Sequence, residues 1–182
     1  MTTPALNITD SAIFSALRSF ILSVIPSGIE VVKAQDNRVA EPEGQDFVVM
    51  TPLFRERIEW NTTTYADGYP SNPSNRIDLS PTKVTIQCDF HGPNSADNIQ
   101  IFTGLFFSGY AYDYFASGAY DIKPLFCTDP RQVPFIDGEQ QYENMWTSDV
   151  NLQANISTTV TQSFADELEI AVINVDVAYP PV

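Results

Sequence analysis

The sequence predicts an α+β domain: a mixed, mostly antiparallel sheet with helices packed on one face. Three observations carry this expectation. Residues 11–25 place Ile13, Phe14, Leu17, Phe20, Ile21, Val24 and Ile25 at three- and four-residue steps, which makes a helical apolar stripe. Residues 83–90 alternate Val84, Ile86, Cys88 and Phe90 with Lys83, Thr85, Gln87 and Asp89, the period of a half-buried strand. A longer alternation runs from 142 to 160, with Trp146, Val150, Leu152, Ala154, Ile156 and Val160 on one side. Glu143, Asp149, Asn151, Gln153 and Asn155 fall on the other. The chain shows no internal repeat and no linker, so its 182 residues are expected to form a single domain.

The elements follow in order. Thr9 or Asp10 can accept the free N–H groups of the first turn of the helix over 11–25, and Pro26 and Gly28 close it. Ile29 to Ala34 reads as a strand. A polar connection over 35–45 follows, holding Arg38, Glu41, Pro42, Glu43 and Gly44. It is long for a hairpin, where about 2–5 residues are usual, and long loops tend to carry interactions. A strand resumes at 46–51, and Pro52, which cannot donate to a ladder, marks a bulge or an edge. Ile58, Trp60, Thr62 and Thr64 alternate with Glu59, Asn61 and Thr63, which predicts a half-buried strand. Residues 66–80 contain two prolines and no period, and read as a surface loop.

After the strand at 84–90, HGPN at 91–94 turns into a second helix. Asn94 is its expected cap and Asp97 stands at the capping-box position. Ala96, Ile99, Phe102, Leu105 and Phe106 are its expected buried stripe. A short helix over 112–117 ends at Gly118, and 120–127 reads as a strand interrupted by Pro124. The ribbon over 142–160 exceeds the usual strand of about 5–6 residues, so it is expected to bend or to extend past the body as an arm. Within it, Asp149, Asn151 and Gln153 are expected to face water or a lumen, with Val150 and Leu152 buried. Near the C-terminus Leu168 and Ile170 are out of phase with Ile173, Val175 and Val177. That shift fits a bulged strand or one buried on both faces.

Composition narrows the function. Nine Lys and Arg stand against 23 Asp and Glu, a formal charge of −14. Nucleic-acid binders neutralise phosphates with clustered cations, and this chain has no such cluster. No basic leader or stretch of about 18–20 apolar residues occurs, so neither a signal peptide nor a spanning helix is expected, and synthesis is placed in the cytoplasm. Cys88 and Cys127 are expected to be two reduced, partly buried thiols.

Candidate chemistry is sparse, and no cofactor or metal is expected. His91 is the only imidazole and reads as a turn histidine bonded to local backbone. Glu139 and Glu143 lie near Tyr142 and Trp146, an acid and aromatic cluster that a polysaccharide hydrolase could use. A solvated strand edge accounts for the cluster more simply. Arg131, after Asp129 and Pro130, could pair across a subunit boundary or form an ordinary surface ion pair. The aromatic run from Phe102 to Phe115 has no interleaved cations, which disfavours a base-stacking platform and favours core or subunit contact.

Four segments together carry a resemblance: NRVAEPEGQDFVVMTPL at 37–53, HGPNSADNIQIFTGLF at 91–106, DPRQVPFIDGEQQYENMW at 129–146 and FADELEIAVINVDVAYP at 164–180. They resemble the tail terminator, or tail completion, proteins of the tailed-bacteriophage neck. The resemblance implies a structural virion protein, not an enzyme, with a tail-terminator-like fold that assembles as a ring, commonly a hexamer. Such a ring caps the tail tube, ends its polymerisation and meets the head-side connector. Its implied partners are its own copies, the tail tube protein, the connector protein and genomic DNA passing through the lumen without specific binding. No membrane is involved. Within that reading, Arg38, Glu41, Glu43, Arg131, Tyr142 and Trp146 are the expected subunit-interface residues. The alternatives are a carboxylate-dependent envelope polysaccharide hydrolase, or another phage part: tail tube, head completion or capsid decoration.

Overall fold

A computed structural model describes residues 3–34, 42, 44–68, 74–136 and 142–162, with backbone alone for 135 and 136. The elements are β1 (Ala5–Leu6), α1 (Asp10–Val24), β2 (Glu30–Lys33), β3 (Phe47–Arg57), β4 (Thr62–Ala66) and β5 (Asn75–His91). They continue with α2 (Ser95–Phe106), α3 (Gly109–Ala116), β6 (Ile122–Cys127), β7 (Arg131–Ile136) and β8 (Tyr142–Thr161). The three helices and eight strands are an α+β arrangement, and the strands join one open, mixed and mostly antiparallel sheet.

Two long strands form its axis. β5 and β8 pair antiparallel from Asn75↔Thr161 to His91↔Met145. Short strands are laid end to end along their outer edges. β3 and then β4 line β5, while β7, β6 and β1 line β8 in turn. β2 adds the one parallel pairing, onto β3.

The register sets the two faces. Val48 opposes Phe90, Met50 opposes Cys88, Ile86 opposes Val150 and Val84 opposes Leu152. These even-numbered side chains are buried together with the apolar stripes of the helices in one core. Each such buried side chain contributes about 1.5–3 kcal/mol relative to exposure. Phe20 of α1 is the hub where the helices meet, with ring centroids 5.4–6.3 Å from Phe102, Phe106, Tyr110, Tyr114 and Phe115. Val150 and Leu152 are buried as expected.

Prolines shape the edges. β3 slips register between Pro52 and Phe54, and β6 slips between Pro124 and Phe126, so both prolines sit at irregularities as their missing N–H requires. The slip in β3 turns Arg55 towards the helices. Arg55 and Lys33 both donate to Asp10 in the first turn of α1, Lys33 at 2.9 Å. An acid there also favours the helix dipole.

Several expectations are corrected. The loop predicted over 66–80 ends early, because β5 begins at Asn75. Cross-strand pairing on both sides, to β4 and β8, overrides the polar and proline-rich composition. The strand predicted through Ile58 and Trp60 is interrupted: β3 stops at Arg57 and β4 starts at Thr62. Pro81 explains the break. Its carbonyl accepts from the Ile58 N–H, so its own N–H would point to the same edge, and it has none. Residues 58–61 therefore loop out of the ladder. β7 was not anticipated. β8 is one strand across Tyr142–Thr161; past Ala154 its side chains are mostly half-buried, and Ile156 still packs against the core.

Helix caps also differ in detail. Thr9 caps α1, accepting from the Ala12 N–H at 3.2 Å. Asn94 occupies the cap position of α2 but turns its side chain to Asp46 instead of the helix. Ala96 is exposed, while Ser95, Asn98 and Thr103 join the buried stripe. The apolar alternation over 168–177 lies outside the described residues.

Candidate functional site

The odd-numbered side chains of β5 and β8 form the sheet's second face, turned away from the helices. It is polar and internally bonded. Thr85 donates to Asn151 at 2.8 Å, and Gln87 donates to both oxygens of Asp89 at 2.7 and 3.0 Å. Gln153 donates to Asn155 at 3.0 Å. Of the trio expected to face water, Asn151 is instead buried, flanked by β5 and β6 and bonded to Thr85. Asp149 and Gln153 are half-buried.

At one end of this face lies His91. It is not a turn residue: it ends β5, is 6% exposed, and stacks on Phe47 with centroids 4.4 Å apart and planes 7° apart. Its Nδ1 is 3.7 Å from Oε1 of Glu143. Burial pushes its pKa below the ordinary 6.5, against the opposing pull of Glu143 and Asp89. This buried imidazole packs on Phe47 with Glu143 and Asp89 as acidic neighbours. Glu139, the other acid of the candidate hydrolase pair, lies outside the described residues. Among the described residues, no group of three His, Cys, Asp or Glu side chains could hold a metal ion.

The expected interface residues are distributed as follows. Arg38, Glu41 and Glu43 lie outside the described residues, in the connection between β2 and β3. Arg131 starts β7 and places Nη2 3.5 Å from Oδ1 of Asp149, an in-chain ion pair on the polar face. Tyr142 starts β8 and is 83% exposed. Trp146 is on the helix side of the same strand, half-buried and packed against the core. The structure thus brings Arg131, Tyr142 and Trp146 to one end of the sheet, where β7 pairs with β8.

Charge is unevenly satisfied. Lys33, Arg55, Arg76, Lys83, Lys123 and Arg131 each lie against a carboxylate of the same chain. Arg18 donates to the Val31 carbonyl at 2.9 Å. Among the described residues every Lys and Arg except Arg57 is engaged within the chain, and the acids in excess set the surface potential. Asp78 shows this locally: hydrogen bonds from Thr63 and Arg76 hold its carboxyl below the usual carboxylate range. No helix among the described residues is long and apolar enough to cross a membrane.

Large side chains missed by sequence reasoning remain exposed. Trp60 is 89% exposed and Phe54 62%, both on the β3–β4 edge. Leu125 and Phe126 are exposed on β6, at the opposite edge. Surface of this kind on an acidic, open-edged sheet indicates protein contacts more than small-molecule chemistry.

A family model described as phage neck terminator protein matches residues 11–178. The chain belongs to this family. A search of curated proteins found no significant match. Membership in the neck terminator family makes the chain a structural component of the phage neck, and hence of the virion. The matched span runs from α1 through all the later described elements.

Proposed function

We propose that this chain caps the phage tail tube, ends its polymerisation and joins it to the head-side connector. It does so as a closed ring, commonly of six subunits, with DNA passing through the lumen. The observation that carries the reading is the family match over nearly the whole chain. The charge arrangement supports it. With six Lys and Arg paired to carboxylates of the same chain and a formal charge of −14, the surface disfavours adhesion of a polyanion moving past it.

A closed ring needs two different patches per subunit. The open sheet offers two edges for this. The connection holding Arg38, Glu41 and Glu43 links β2 and β3 at one edge, and Arg131, Tyr142 and Trp146 lie towards the other. This reading assigns these residues to contacts between neighbours. Light scattering and negative-stain microscopy of the purified chain test the proposal, together with a tail-tube polymerisation assay. Rings that arrest tube growth are expected. A strict monomer without effect on tube length overturns it.

A further inference from the structure

The loop 58–61 is an unusual surface. Ile58 and Trp60 project from the gap that Pro81 leaves in the β3–β4 edge, and with Arg57 and Glu59 they frame a shallow cleft. An indole so exposed contributes nothing to this chain's own core. Among the described residues, Arg57 is the cation with neither a carboxylate nor a carbonyl partner, so the knob carries a free positive charge on an acidic molecule.

A second surface matches it. A groove of about 410 Å³ lies between α1 and the α3–β6 connection, lined by Ala12, Ala16, Ser19, Tyr114, Phe115 and Ile122 among others. That volume falls within the range of about 300–1,000 Å³ that accepts compact apolar groups. Asp113 flanks the lining residue Tyr114, is exposed and has no ion-pair partner among the described residues, whereas Asp121, beside Ile122, is already engaged by Lys123 at 3.5 Å.

The register relates the two surfaces. Arg57 opposes Thr82, Thr82 opposes Ala154 and Ala154 opposes Ile122. The knob's base and Ile122 of the groove therefore sit at the same level of the sheet, three strand spacings or about 14 Å apart. The knob projects outward from the β3–β4 edge. It can meet the groove of a copy placed beside it, and repetition of the contact is heterologous.

We propose that Trp60 and Ile58 of one subunit insert into the α1–α3 groove of the next, with Arg57 meeting Asp113 at the rim. The occupant is a second copy of this chain. The inference rests on the ring-forming reading above and names the contact that closes the ring.

Two variants test it. Trp60→Ala removes the knob and leaves the groove. Ser19→Trp fills the groove from an exposed position and leaves the knob. Both sites are on the surface, and matching melting curves would show that the folds are intact. With a wild type that forms rings, each variant alone is expected to be monomeric by light scattering. An equimolar mixture is expected to form dimers and nothing larger, because one intact knob and one intact groove remain per pair. Rings from either variant alone, or a mixture that stays monomeric, overturn the inference while leaving the ring reading intact. A Trp60→Ala ring that no longer arrests tube growth would assign the knob to the tube protein and likewise overturn it. A wild type that never assembles overturns both.

Discussion

The carboxylate of Asp46 accepts the backbone N–H of Asn94 at 2.9 Å and its side-chain amide at 2.8 Å. The residue before β3 thereby holds the start of α2, and Gly92 lies beneath. Gly92 has φ +98°, and a Cβ there would stand 2.2 Å from the Gln45 carbonyl oxygen. Gly92→Ala should cost roughly 2–5 kcal/mol, combining left-handed backbone strain with overpacking. Gly28→Ala, also at positive φ but in open space, should cost only the backbone part, about 1–3 kcal/mol. Denaturant melts of the two variants check the order, and equal losses would refute it.

Phe20 touches five aromatic rings and is fully buried. Phe20→Ala should destabilise by about 3–5 kcal/mol. Phe107, exposed at the end of α2, should tolerate the same change within about 0.5 kcal/mol. At about 2–4 °C per kcal/mol for a chain of this size, thermal unfolding separates them clearly.

His91 predicts a pH dependence. Its folded pKa is lowered from 6.5 by burial, so the unfolded chain binds its proton first as pH falls. The unfolded state then holds more protons, and stability drops below about pH 6.5. His91→Phe, which keeps the ring stack on Phe47, should flatten the decline between about pH 5 and 6.5. Carboxylates in unstructured peptides titrate lower, near about pH 4. Melting temperature against pH for both proteins is the measurement, and parallel curves would refute the assignment.

Both cysteines are free and buried. Burial raises the Cys127 thiol to about 11 and the Cys88 thiol well above its ordinary value. Little thiolate exists at neutral pH, so a thiol reagent should label neither residue in the native protein at about pH 7.5 and both in denaturant. Rapid native labelling would contradict the burial.

Much of this fold was legible because its signals are local. The stripe of α1, the alternation Val84 to Phe90 and the irregularities at Pro52 and Pro124 each follow from short-range chemistry. The failures lie where a partner decides. Asn75 to Leu79 carries loop composition yet pairs on both sides, and Ile58 and Trp60 carry strand alternation yet have no donor opposite. β7, with Pro134 in its middle, holds only because β8 is already extended beside it. The site was less legible still. Trp146 and Trp60 look alike in sequence, and only the three-dimensional register sends one to the core and the other outward.

The pairing of β5 with β8, and of Ala5 with Thr159, has a consequence for synthesis. These contacts join residues far apart in the chain, and such topologies fold slowly because distant segments must meet before any reward is gained. On the ribosome, the helices and the β3–β5 pairing can form early. The sheet's axis and its β1 strand wait for residues up to 161 to emerge. An incomplete chain therefore lacks the finished edge along β8, so a fragment released early has no complete surface with which to join an assembly.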